Sequence, residues 1–195
     1  YGFFFVTGSR DKMAYLWSLE RTSPIRHFWG HRSDVGKVRF HPNSIFVGTG
    51  SVDGTVRLWD VRDGNVARVF GKHNGPIHSL AFSPNGQFIA SSGEHNQVVI
   101  WDLRKGARFG SVEWKSTDVN AIWSLDYSSD GTVLAGAGSD GKVRLWDAAL
   151  MQGQTERRVE EYRPLLKTFQ TKKTPLLRCR FSPRNILMIS GAIVS

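Results

Sequence analysis

The sequence predicts an all-β fold built from repeated four-stranded units, that is, a β-propeller. The stretch GSVDGTVRLWD at 50–60 recurs as GSDGKVRLWD at 138–147, and looser copies occur elsewhere in the chain. The copies end in tryptophans that are 42, 42 and 45 residues apart. A period of about 40–45 residues is typical of propellers, whose blades contain four strands each. These tryptophans are Trp17, Trp59, Trp101 and Trp146.

The elements follow one order within each period. An alternating strand ends in an aromatic residue, as VGKVRF does at Phe40 and IHSLAF at Phe82. A turn such as HPNS or SPNG follows, because Pro, Asn, Asp and Gly supply the backbone angles of tight turns. A strand of small residues, a short turn with an acid and the strand ending in Trp come next. A more polar strand, such as 66–70, completes the unit.

The whole chain, 1–195, is predicted to be one partial propeller with blade ends near 17, 59, 101 and 146. Residues 1–17 align with the second and third strands of a blade, and 173–195 form a last partial blade. The count is therefore four to five blades. We expect the C-terminal arc of a larger propeller, and we expect that the isolated arc does not fold, because an open arc exposes two apolar faces.

One interval between repeats is longer than the others. The chain takes 23 residues from Trp59 to Phe82 but 35 from Trp146 to Phe181. The polar stretch MQGQTERRVEEY can hold the excess, which predicts a polar insertion at 151–172. Such insertions lie in loops, which often carry partner contacts. A solvated surface loop without a partner is the alternative.

Composition limits the class of protein. The chain is 40% apolar, with twelve Phe and seven Trp, which is enough for a packed core. No apolar run approaches the roughly 18 residues that span a bilayer. The single Cys179 excludes an internal disulfide and fits a reducing compartment. The net charge of +9 suits an acidic partner or nucleic acid, but many basic residues, such as Arg57, Lys142 and Arg144, occupy alternating strand positions expected on a solvated face.

Histidine, hydroxyl and acid residues recur with the tryptophans. In the second unit they are His31, Thr49, Ser51, Asp53 and Trp59. A Ser/His/Asp set occurs in hydrolases, but a catalytic site is needed once, whereas this set recurs with the blade period. We therefore predict a buried network in each blade, in which the indole N–H donates, hydroxyl and imidazole relay, and the carboxylate accepts. The members from other units are Asp11, Trp17, His73, Trp101, Asp140 and Trp146.

The units differ in completeness. The third has His95 at the acid position and Lys72 in place of the glycine that precedes its histidine, and the fourth has no matching histidine in EWKSTD. We expect these blades to be less rigidly held. His41, His78 and His95 lack metal-ligand spacing, and no phosphate-binding glycine loop occurs. The sequence therefore predicts no metal, no cofactor and no catalytic residues.

The Gly30-His31 and Trp59-Asp60 pairs resemble those of WD-repeat propellers, which commonly have seven blades. The resemblance extends over essentially the whole chain and implies the fold, but not a function. YGFFFVTGSRD at the start, FHPNS at 40–44, GPIHSLAFSPNG at 75–86 and TKKTPLLRCRFSPRN near the end resemble the WD-repeat TBP-associated factors of TFIID. The insertion before the final strands is also similar, whereas Ser18, Lys72 and His95 depart from the repeat pattern.

That resemblance implies a nuclear, non-catalytic scaffold in transcription initiation by RNA polymerase II. In this family the propeller packs against histone-fold TBP-associated factors in TFIID, and the same or a sister subunit serves the SAGA coactivator. One alternative is a WD-repeat adaptor of a ubiquitin ligase or an RNA-processing assembly. Another is a direct nucleic-acid binder, which would need a contiguous basic face with stacking aromatics. An enzyme ranks last.

No family motif marks the partner contacts. The loop WGHRSDV and the insertion are the segments that we expect to reach a partner, because loops and exposed aromatic or arginine side chains anchor interfaces. A core position in a blade without its histidine is the alternative for Trp114. The candidate contact residues are Trp29, Arg32, Trp114, Arg157, Arg158 and Tyr162.

Overall fold

The fold is described from a computed structural model of the chain, over residues 3–71, 73–94, 97–113, 121–151, 164–171 and 174–192. These residues form five antiparallel sheets and one short helix, α1 (Ala148–Met151). Each sheet is a meander in which strands that follow each other along the chain are hydrogen-bonded neighbours. No helix within these ranges is long and apolar enough to cross a membrane.

The sheets follow one another along the chain, and three of them have four strands. The first sheet contains β1 (Phe4–Gly8), β2 (Ala14–Ser18) and β3 (Arg26–Phe28). The second contains β4 (Val35–Phe40), β5 (Phe46–Ser51), β6 (Val56–Asp60) and β7 (Val66–Phe70). The third contains β8 (Ser79–Phe82), β9 (Phe88–Ser92), β10 (Gln97–Asp102) and β11 (Ala107–Glu113). The fourth contains β12 (Ile122–Tyr127), β13 (Val133–Gly138), β14 (Lys142–Asp147) and β15 (Leu165–Gln170), and the fifth contains β16 (Leu176–Phe181) and β17 (Leu187–Gly191).

The turn after the first strand has the same geometry in four sheets. The fourth residue after the strand's final aromatic has a positive φ of between 58° and 75°. Glycine and asparagine tolerate this left-handed conformation best, which explains why three of the four turns carry them. The residues at this position are Ser44, Gly86, Gly131 and Asn185.

The core lies between consecutive sheets. Four clusters of buried apolar side chains each join one sheet to the next. In the cluster between the first and second sheets, the rings of Phe28 and Trp59 lie 5.7 Å apart. Phe70 and Trp101 repeat this contact one sheet later, also at 5.7 Å. Trp59 and Trp101 therefore each pack on an aromatic residue from the outer strand of the preceding sheet.

Small residues in the second strands let neighbouring sheets approach closely. A Cβ atom on Gly48 of β5 would lie 2.8 Å from Cζ of Phe82 in the next sheet. A Cβ atom on Gly8 of β1 would lie only 2.3 Å from the backbone oxygen of Val35 in β4. Because both distances are far below van der Waals contact, glycine is required at these positions.

The first strands of the sheets, β4, β8, β12 and β16, contact one another in sequence and form the inner edge of the arrangement. Side-chain hydroxyls join their backbones across sheets. Ser79 Oγ accepts a hydrogen bond of 2.9 Å from Leu125 N, and Ser124 Oγ donates one of 3.1 Å to the backbone oxygen of Cys179. Inner strands thus bond to each other through serines, while the strands of one sheet bond through their backbones.

Part of the predicted insertion is a strand of the fourth sheet. The segment 151–172 contains strand β15, which pairs with β14 from Lys142–Gln170 to Trp146–Leu165. Its six residues are all exposed and form the outer strand of the fourth sheet. Residues 152–163 and 172–173 lie outside the described residues.

Candidate functional site

The second sheet brings together the residues that the repeat pattern selects. Trp59 Nε1 donates to Thr49 Oγ1 at 2.8 Å, and Thr49 Oγ1 lies 2.7 Å from His31 Nε2. His31 Nδ1 lies 3.0 Å from Asp53 Oδ2. Because a carboxylate only accepts, Nδ1 carries the proton, and the donors follow one direction from indole to hydroxyl to imidazole to carboxylate. Ser51 lies beside this chain, donating to Ser33 O and accepting from Asp53 N.

The electrostatics of this network favour a neutral histidine beside an ionised aspartate. Burial lowers the pKa of His31, and the neighbouring Asp53 opposes this only in part. Burial alone would raise the pKa of Asp53, but hydrogen bonds from Thr55, from the Arg32 backbone and from His31 hold it well below its usual range. The carboxylate is thus a fixed acceptor that ties the loop before β4 to the turn between β5 and β6.

The third sheet repeats the network without its acid. Trp101 Nε1 donates to Ser91 Oγ at 2.7 Å, and His73 Nε2 lies 2.7 Å from the same oxygen. His73 Nδ1 is buried and has no hydrogen-bond partner among the described residues. Burial, together with the positive charge of Arg108, lowers the pKa of His73 to about 4. His95, which occupies the acid position in sequence, lies outside the described residues, as does Lys72.

The first sheet keeps the hydroxyl and the acid but pairs the acid differently. Trp17 Nε1 donates to Thr7 Oγ1 at 2.9 Å. The carboxylate of Asp11 accepts a hydrogen bond from the phenol of Tyr15 at 2.5 Å. Tyr15 lies two residues before Trp17, so the partner of the acid comes from the same strand as the tryptophan.

The fourth sheet replaces the hydroxyl and the histidine. At the position ten residues before Trp146, where other sheets have Thr or Ser, the chain has Gly136, and a Cβ atom there would lie only 2.6 Å from Cζ3 of Trp146. Arg144 Nη2 contacts Asp140 Oδ2 at 2.5 Å, and Arg144 is only 6% exposed. The prediction of a solvated face is therefore wrong for Arg144. Arg144 is therefore the partner of Asp140. It lies two residues before the tryptophan, as Tyr15 does in the first sheet.

These contacts do not form a catalytic arrangement. Thr49 and Ser91 have no exposed surface, so a substrate cannot reach either hydroxyl. The thiol of Cys179 is also buried, which raises its pKa to about 11 and keeps it protonated near neutral pH. Within the described ranges no group of three or more His, Cys, Asp or Glu side chains could hold a metal ion. In the second and third sheets, these hydrogen bonds join the loop before the first strand to the second and third strands.

An exposed surface lies next to the His31–Asp53 network of the second sheet. Trp29 precedes the network histidine and is 74% exposed, and the Arg32 side chain is also exposed. The backbone N–H of Arg32 donates to Asp53 at 2.8 Å, so the network holds the loop that contains Trp29 and Arg32 in place. Asp53 also lines an open cavity of about 540 Å³ together with Val52 and Asn74. We call Trp29, Arg32, Val52, Asp53 and Asn74 the rim surface.

The other predicted contact residues cannot be placed in this way. Trp114, Arg157, Arg158 and Tyr162 lie outside the described residues. Two structural features of the sites were missed by sequence reasoning, the Asp11–Tyr15 and Asp140–Arg144 pairs. Both pairs have a large polar residue two positions before the tryptophan and an acid six positions before it, but Arg57 and Asp53 share this spacing, so the spacing alone does not identify the pairs.

Comparison with known proteins identifies the repeat. The family described as "WD domain, G-beta repeat" matches residues 22–60, 64–102 and 114–147, more than half of the chain. The chain belongs to the WD40 repeat family. WD40 repeat proteins are generally non-catalytic scaffolds that mediate protein–protein interactions.

The WD40 repeat and the sheet do not begin at the same strand. The match at 22–60 includes β3 of the first sheet and then β4, β5 and β6 of the second. The match at 64–102 likewise starts with β7 of the second sheet and continues with the first three strands of the third. Each of these two repeats therefore supplies one outer strand to one sheet and three strands to the next.

One known protein is similar to part of the chain. Transcription initiation factor TFIID subunit 5 of Caenorhabditis elegans is 41% identical to it over 46 residues. The aligned region covers 24% of this chain and 7% of that protein. The chain thus corresponds to a small part of the length of this relative.

Proposed function

We propose that this WD40 chain is a protein-interaction scaffold of the general transcription factor TFIID, of the related SAGA coactivator, or of both. The similarity to a TFIID subunit over 46 residues carries this proposal. The WD40 repeats support it, because this family builds scaffolds rather than enzymes. In this proposal the protein acts in the nucleus, during assembly of the preinitiation complex, and packs against histone-fold TBP-associated factors.

The rim surface is the contact region that we propose. It combines a largely exposed tryptophan, an exposed arginine and an adjoining cavity, and Trp and Arg are the residues that most often anchor interfaces. The buried His31–Asp53 network below it holds the loop in one conformation. A preformed surface reduces the entropy that is lost on binding.

Affinity capture of the tagged full-length protein from nuclear extract, followed by mass spectrometry, tests the assembly. We expect histone-fold TBP-associated factors among the partners that resist a salt wash. Recovery of a ubiquitin ligase core or of RNA-processing factors instead would keep the WD40 scaffold and contradict the transcriptional role.

Substitutions test the rim surface separately. We expect Trp29→Ala and Arg32→Ala to reduce recovery of the partners, each at a cost of about 1–3 kcal/mol of binding free energy. Leu19→Ala is the matched control, because Leu19 is an exposed apolar residue at the end of the first sheet opposite to Trp29, which directly follows β3. Equal recovery with Trp29→Ala and Leu19→Ala would exclude the rim surface.

We also propose that the five sheets are consecutive blades of a seven-bladed propeller. Apolar side chains exposed on the first sheet (Phe4, Phe5) and on the fifth (Met188, Ile189) support this, because a neighbouring blade would bury them. Electron microscopy of the full-length protein should show a closed ring of seven lobes. An open arc, or a different number of lobes, would contradict this geometry.

A further inference from the structure

Equivalent positions of the four inner strands meet at one cavity. Each of these strands ends in an aromatic residue, and the residue before it is Arg39 in β4, Ala81 in β8, Asp126 in β12 and Arg180 in β16. All four of these residues line a cavity of about 190 Å³, to which Arg178 also contributes. The register of the strands thus brings three arginines from the second and fifth sheets to one site.

The positive charge at this cavity is not balanced. Asp126 is the one carboxylate among the described residues that line it, against three guanidinium groups. One oxygen of Asp126 already accepts a hydrogen bond of 2.6 Å from the backbone N–H of Phe181. The carboxylate therefore has about three acceptor sites left, whereas each of the three guanidinium groups has up to five donors.

The arginines also affect one another. Loss of solvation lowers the pKa of Arg39, the charges of Arg180 and Arg178 lower it further, and Asp126 opposes this in part. Although the surrounding protein desolvates the Arg39 guanidinium, its side chain remains open to the cavity. Like charges held together at a partly enclosed site favour the entry of an anion, since an anion relieves their repulsion.

We propose that this cavity binds a phosphate-class oxyanion, either free or as part of a phosphorylated partner, through the guanidinium groups of Arg39, Arg178 and Arg180. Planar guanidinium groups bind phosphate oxygens in pairs, so the chemistry of the cavity matches this ligand. The cavity has the volume of about six water molecules at roughly 30 Å³ each, which is enough for a phosphate or diphosphate group. The site is independent of the transcriptional role proposed above.

Isothermal titration of the full-length protein with inorganic diphosphate, at constant ionic strength, tests the site. We expect the Arg39→Gln/Arg180→Gln variant to bind at least about tenfold more weakly than the unmodified protein, because it loses two bidentate donors. The Arg21→Gln/Arg184→Gln variant is the matched control, since it removes the same charge at exposed positions that do not line the cavity. It should change the affinity by less than about twofold.

A substitution in the opposite direction separates binding from misfolding. Asp126→Asn removes the competing negative charge and keeps an oxygen for the Phe181 N–H, so we expect tighter diphosphate binding. A damaged fold would instead weaken binding. Comparison of diphosphate with a phosphoserine peptide then distinguishes a free ligand from a phosphorylated partner, according to which binds more tightly.

Three results would overturn the proposal. The first is the absence of diphosphate binding by the unmodified protein. The second is an equal loss of affinity in the two double variants, which would indicate attraction by net charge alone. The third is binding of a hexaglutamate peptide as tight as that of diphosphate, which would show that the cavity has no preference for phosphate.

Discussion

The hydroxyl of Thr49 lies between two ring nitrogens, those of Trp59 and His31, and has no exposed surface. Water cannot replace it if it is removed. We therefore expect Thr49→Val, which keeps the shape of the side chain, to lower the free energy of unfolding by about 1–3 kcal/mol. Chemical denaturation measures this change. The exposed Thr22→Val should stay within about 0.5 kcal/mol, and a similar effect of both substitutions would contradict the network.

His73 makes stability depend on pH. Its folded-state pKa is about 4, whereas an unfolded histidine titrates near about 6.5. Between these values the unfolded chain binds the proton and the folded protein does not, so the contribution is complete above about pH 6.5 and is lost as pH falls toward 4. We expect a loss of about 2 kcal/mol at pH 5 from this residue. His31, whose pKa is also lowered, changes stability in the same direction.

Thermal unfolding from pH 7.5 to pH 5 measures this dependence. The His73→Asn variant should be less stable at pH 7.5 but should show a smaller decrease toward pH 5. An unchanged slope in that variant would mean that other groups cause the pH dependence.

The sequence predicted the complete network of the second sheet, since His31, Thr49, Asp53 and Trp59 all follow the repeat spacing. It did not predict the role of Arg144, because alternation along a strand shows which residues share a face but not which face is buried. Only the packing of the neighbouring sheet makes that distinction. The same limit applies to Arg39 and Arg180, which are adjacent only after four strands come together.

In the fourth sheet, the Asp140–Arg144 pair joins a turn to strand β14 in a largely buried position. Asp140→Ala leaves a buried guanidinium without this partner, so we expect the free energy of unfolding to decrease by about 3 kcal/mol or more. The Asp140→Ala/Arg144→Leu double variant removes both charges and should recover part of that loss. Urea denaturation of the single and double variants measures the coupling. A double variant as unstable as the sum of the single variants would argue against the pair.

At the level of strands, the sequence placed the repeats and their turns but not the outer strand β15. Leu165–Gln170 has no buried position, so its burial pattern does not differ from that of a polar loop. The strand exists because the edge of β14 offers backbone hydrogen bonds to it. Pairing of this kind depends on the neighbouring strand, so the residues of the paired strand itself do not predict it.

For the molecule as a whole, stability should decrease from the inner strands to the outer ones. Strand β13 is buried at five of its six positions, whereas β15 is exposed along its whole length and pairs with β14 alone. Local opening should therefore expose the amides of β15 without those of β13. Hydrogen exchange with mass spectrometry should show at least about hundredfold faster exchange in 165–170 than in 133–138. Equal rates would mean that the fourth sheet opens as one unit.

The offset between the WD40 repeat and the sheet has a consequence for how such chains change in evolution. Duplication of one repeat in the gene adds three strands of a new sheet and an outer strand for the sheet before it, while the new sheet receives its outer strand from the repeat that follows. Every sheet stays complete. The number of units can thus grow or shrink by whole-repeat recombination without leaving an unpaired edge inside the protein, because the chain keeps its period of four strands.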